Sequence, residues 1–157
     1  MSVECLDRPR TFTVGQANAM LPLVRVIVAD LVCLAREVCN RAECLSVVLA
    51  GREVLDRDDP YAGELVHVAE KLEADHHRLR EFADELGELG VVLKSAVEGL
   101  VDFQAMFEGR RIYLCWKLGE SEIRFWHETH EGFADRKPLA AGMNATDKMD
   151  LVETPCI

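Results

Sequence analysis

No run of basic residues occurs in this chain, and that absence argues against nucleic-acid binding. Eighteen Lys and Arg stand against 28 Asp and Glu, for a formal net charge of −10 and a pI near 4.9. Affinity for nucleic acid comes largely from cationic side chains that neutralise phosphates. An anionic membrane surface makes the same demand. Long uncharged apolar runs are missing too. The first apolar stretch begins near Ala19 and is interrupted by Pro22, Arg25 and Asp30, so neither a signal peptide nor a membrane span is expected. No CxxC pair occurs among the six cysteines, which fall irregularly at Cys5, Cys33, Cys39, Cys44, Cys115 and Cys156. They read as reduced thiols of a cytoplasmic protein, packed as small apolar residues. Gly-x-Gly and Gly-Lys-Ser phosphate loops are absent, as is a Gly-x-Ser-x-Gly elbow. Nucleophilic catalysis and phosphate cradling therefore have little support, and an enzyme is the least supported class.

What is present is ordinary globular composition: 157 residues, 49% hydrophobic and 29% charged, enough for one domain with its own core. Thr13-Val14-Gly15-Gln16 is a capping-box pattern, so a helix is expected to start there. Pro22 predicts a break, with a short helix ending near Met20 and a longer one carrying Pro22 in its first turn. Val24, Val28, Leu31, Ala35, Val38, Ala42 and Leu45 alternate spacings of four and three. That is a coiled-coil-like seam on a helix over 22–45. The segment 57–63 reads as a turn. A second helix over 64–88 repeats the seam with Leu65, Ala69, Leu72, His76, Leu79, Ala83 and Leu86. The two make an antiparallel helical hairpin.

After Gly90 the period changes. Val91-Val92-Leu93 and Leu100-Val101-Asp102-Phe103 are short and β-prone, and 111–116 and 123–128 alternate with period two around Leu118-Gly119-Glu120-Ser121. This is a β-hairpin. The expected fold class is α+β: an antiparallel, coiled-coil-like helical hairpin packed on a small antiparallel β-sheet. A single domain is expected over 11–139, and 140–157 reads as a disordered tail.

These segments carry a resemblance. Thr11-Phe12-Thr13, Gln16-Ala17-Asn18 and Leu21-Pro22 open it. Gly90-Val91-Val92-Leu93-Lys94, Gly99-Leu100-Val101-Asp102-Phe103 and Gly109-Arg110 continue it. Tyr113-Leu114-Cys115-Trp116, Gly119-Glu120, Trp126-His127-Glu128 and Gly132-Phe133-Ala134, with Arg136 and Pro138, complete it. On these motifs the chain resembles the bacterial family catalogued as domain of unknown function 2203, over roughly residues 11 to 139. It departs at Asp135, where a glycine is expected, and at Ser121, where a proline is expected. The resemblance supports the fold and implies no activity.

Candidate chemistry concentrates between Gly109 and Lys137, which hold both tryptophans, Cys115, His127, His130 and four glutamates. Cys115 and His127 lie on the two hairpin strands, and the register decides whether they share a face. With Glu120 in the turn and His130 beyond the strand, they form a candidate site for zinc or non-haem iron. The run His127-Glu128-Thr129-His130-Glu131 is not HExxH, since its histidines are three apart. The competing reading is an aromatic patch of Trp116, Trp126 and His127, with His127 bonded to backbone. A second candidate is Glu73-x-x-His76, a di-iron-type pair that a homodimer would have to complete, set against His76 as a register-setting seam residue over Ala35. The alternative function is an interaction module whose helical hairpin and aromatic patch dock a protein partner.

Overall fold

The computed structural model describes residues 10–50 and 62–139. Two helices, α1 (Val14–Leu49) and α2 (Ala62–Glu88), precede five strands: β1 (Val91–Ser95), β2 (Leu100–Phe107), β3 (Arg110–Lys117), β4 (Phe125–Glu128) and β5 (Lys137–Pro138). The strands form one antiparallel sheet in sequence order. The α+β class read from periodicity is the observed one. Most of the turn expected at 57–63 and the tail expected at 140–157 lie outside the described residues.

Helix α1 begins as its sequence dictates. Thr13 caps it, its side chain accepting from Gln16 N while Gln16 Oε1 accepts from Thr13 N, both at 3.1 Å. The break at Pro22 does not occur, and one helix of 36 residues runs through it. Pro22 costs one backbone hydrogen bond. It sits on the exposed side, while Ala17, Leu21 and Val24 on either side of it are buried in the core. Tertiary packing of that stripe overrides the local penalty. By length and composition α1 could also cross a bilayer, but here its apolar stripe packs against protein.

The seam divides in two. Val24, Val28, Leu31, Ala35 and Val38 are buried, whereas Ala42 is exposed and Leu45 only half-buried. The first half of α1 packs on the sheet, Val32 and Arg36 still reach the β1–β2 turn, and the end of the helix pairs with α2, helped by Arg41 Nη1 on Asp75 Oδ2 at 2.8 Å. Val47, Val48 and Val66 therefore stay exposed near this end of the hairpin. On α2 only Leu72 and Leu86 are buried. His76 is exposed, so it does not set register over Ala35. Glu73 beside it is exposed as well.

Alternation along the strands sorts the sheet into two faces. Val91, Val101, Phe103, Ala105, Ile112, Leu114 and Trp116 share a core with Leu21, Val24, Val28 and Leu31 of α1. The β1–β2 turn is pressed against the helix: a Cβ on Gly99 (φ +69°) would meet Leu118 Cβ at 2.7 Å and Val32 Cγ2 at 2.9 Å. Glu108 and Gly109, with φ of 50° and 78°, form a two-residue turn that pairs Phe107 with Arg110. That turn fixes the β2–β3 register. The other face of the sheet carries the polar cluster described next.

Candidate functional site

Asp102, Cys115 and His127 come together on the sheet face turned away from the helices. Asp102 stands opposite Cys115 across β2 and β3. His127 stands opposite Tyr113, two residues along from Cys115 on the same face. One potential ligand atom from each residue lies within 4.8 Å of the other two. All three residues are buried, with exposures of 1% for Asp102, 0% for Cys115 and 2% for His127.

The imidazole is held at both nitrogens. Nδ1 lies 2.8 Å from the Glu128 carbonyl oxygen, and Nε2 lies 2.9 Å from Asp102 Oδ2. A carbonyl only accepts, so Nδ1 carries a proton. The Nε2–Oδ2 contact then needs one further proton, held either by the imidazole or by the carboxyl. The pair thus shares one proton over and above Nδ1–H. Burial pushes the Asp102 carboxyl above its ordinary value, against the opposing pull of His127 and Lys94. Asp102 Oδ1, buried beside the thiol, has no partner of hydrogen-bond geometry.

Cys115 is a poor nucleophile here. Burial first, then the charge of Asp102, pushes its thiol up to about 12, with Arg136 pulling the other way. A thiol so placed stays protonated at neutral pH, which removes the activated-cysteine reading. A bound divalent metal would reverse that balance: the thiol would release its proton to solvent and hold the ion as thiolate.

The predicted site residues separate. Cys115 and His127 meet, while Glu120 and His130 stand apart from them. Glu120 braces the β3–β4 turn: Oε2 accepts from Lys117 N at 2.9 Å, and Oε1 forms a 2.7 Å ion pair with Arg136 Nη1. Its carbonyl accepts from Trp116 Nε1. His130 is exposed beyond the end of β4. Glu131 turns back to Glu128 N, the main reason its carboxyl lies below the ordinary value, with Lys137 adding to it. The aromatic patch divides as well: Trp116 is buried on the helix side, while His127 lies on the other face beside Tyr113. Glu73 and His76 belong to no group of three potential ligands among the described residues. Asp102 is the ligand candidate that the sequence reading passed over.

The group is one that could hold a metal ion. A carboxylate oxygen, a thiolate sulfur and an imidazole nitrogen suit zinc or ferrous iron. Donors on a tetrahedral ion sit about 3.3–3.7 Å apart, so modest movement would bring these three into place. Nδ1–H on a backbone carbonyl is the outer contact that orients a histidine to bind through Nε2. The orphaned Asp102 Oδ1 gives the carboxylate an acceptor still to be satisfied. By contrast, the cavity of about 450 Å³ lined by Cys44, Leu45, Val48 and Val68 shares no residue with the cluster.

Fold and cluster together define a small α+β protein with a buried Asp-Cys-His group able to hold a metal ion. The chain belongs to the family described as "Uncharacterized conserved protein (DUF2203)", which it matches over residues 10–139. No curated protein and no solved structure matches it.

Proposed function

We propose that this protein binds one divalent transition metal, zinc or ferrous iron, through Asp102, Cys115 and His127 in the reducing cytoplasm. The observation that carries this reading is the convergence of three different donor types within 4.8 Å in a nearly solvent-free site. Burying an acid costs free energy unless something compensates it. Here His127 satisfies one carboxylate oxygen and leaves the other unpaired. The protonated Cys115 thiol can donate only weakly to that carboxylate in the metal-free protein. A metal ion would engage both groups. Three protein ligands leave a tetrahedral ion one open position, the arrangement of metal centres that bind exogenous molecules.

Titration of the purified protein with Co²⁺ tests this. The expected outcome is one ion per chain, with tetrahedral ligand-field bands and a sulfur-to-cobalt charge-transfer band. Cys115→Ser should lose the charge-transfer band, and His127→Ala should lose tight binding. His130→Ala should leave both intact, since His130 lies outside the cluster. Saturation without a sulfur band in the parent protein would sink the assignment.

A further inference from the structure

Donor-bearing side chains flank the cluster. Tyr113 covers His127, with ring centroids 5.5 Å apart. Lys94 sits at the β-bulge between Leu93 and Ser95, is exposed, and holds its Nζ 5.2 Å from the Tyr113 ring. Its charge also acts on Asp102. Arg136 acts on Cys115 from the other side, its guanidinium 4.1 Å from the rings of both Phe125 and Phe133. A bulge that re-aims a long side chain over a polar cluster is a recurrent feature beside binding sites.

Charge decides what such a setting would admit. A divalent ion with the Asp102 carboxylate and the Cys115 thiolate is locally neutral. Arg136 is matched by Glu120 at 2.7 Å. Lys94 then leaves one positive charge beside the Tyr113 ring. Lys94 is itself exposed, so a solute anion can reach its ammonium. One unmatched ammonium beside an open metal position fits a monoanion with two oxygens: one for the metal, one for the cation.

We infer that the open metal position takes a small-molecule carboxylate whose second oxygen is held by Lys94, beside Tyr113. This rests on the metal-site reading. It adds a ligand class, and it makes Lys94 a binding residue.

The test uses the full chain loaded with Co²⁺ and follows the visible spectrum during titration with acetate and, separately, with inorganic phosphate. Acetate should shift the ligand-field bands saturably. Lys94→Ala, an exposed change that leaves the core intact, should weaken acetate about tenfold. Lys71→Ala, on the exposed surface of α2, should change nothing. Three results would overturn the inference while leaving the metal site standing: a cobalt spectrum indifferent to acetate, equal acetate affinity in Lys94→Ala, or a response to phosphate alone. Failure to form any tetrahedral cobalt spectrum would remove the metal reading, and this one with it.

Discussion

Asp102→Ala is expected to destabilise the metal-free protein by about 3–5 kcal/mol and to abolish metal binding. Removing one member of a buried ion-paired or hydrogen-bonded couple leaves the other desolvated and unsatisfied. Here the residue left behind is His127, 2% exposed, whose Nε2 has Asp102 Oδ2 as its partner at 2.9 Å. Asp102→Asn separates the two effects. Its amide N–H donates to Nε2 while Nδ1–H keeps the Glu128 carbonyl, so most stability returns. The anionic ligand is lost all the same, and metal affinity stays low. Urea denaturation with and without Zn²⁺ measures both quantities. His130→Ala, at an exposed position, should cost less than about 0.5 kcal/mol. Should Asp102→Ala cost no more than that, the buried pair does not have the role assigned to it.

Metal binding is expected to release about two protons, so that apparent affinity rises about 100-fold per pH unit at the acid end of the folded range. One proton comes from Cys115. Its thiol is pushed up to about 12, so it is protonated in the free protein throughout the usual range and must ionise on binding. The other comes from the Nε2–Oδ2 hydrogen bond, which the metal replaces. The proton on Nδ1 stays, held by the Glu128 carbonyl. The sign follows directly: the free state holds more protons than the bound state, so binding strengthens as pH rises. The slope falls toward one proton once the Asp102–His127 pair has lost its own. Calorimetry of Zn²⁺ binding in buffers of different ionisation enthalpy counts these protons. Release of none would mean that Cys115 is not a ligand.

Much of this arrangement was legible before any coordinates, and the places where it was not are physically specific. The Thr13–Gln16 capping box and the β3–β4 alternation were readable because each is local. At Pro22 local propensity predicts a break, while the stripe of Ala17, Leu21 and Val24 draws its stability from the sheet, about 80 residues away in sequence. The cluster was half legible. Cys115 and His127 stand out by residue type, but sequence proximity alone recommends Glu120 and His130, and a strand separates sequence neighbours. Glu128 follows His127 and points to the opposite face, where it pairs with Arg110 at 2.9 Å. Asp102 was hidden in an apolar run. The signal was there in Glu108-Gly109: a two-residue turn pairing Phe107 with Arg110 sets Asp102 against Cys115 five steps along. A lone acid at the centre of an otherwise apolar strand, matched to a cysteine across such a turn, marks this kind of site.

X-ray absorption at the zinc edge of the metal-loaded protein is the most direct test of the central claim. One sulfur at about 2.3 Å is expected together with nitrogen and oxygen ligands at about 2.0–2.2 Å, one of them an imidazole. A first shell without sulfur, or a protein that holds no stoichiometric zinc, would contradict it.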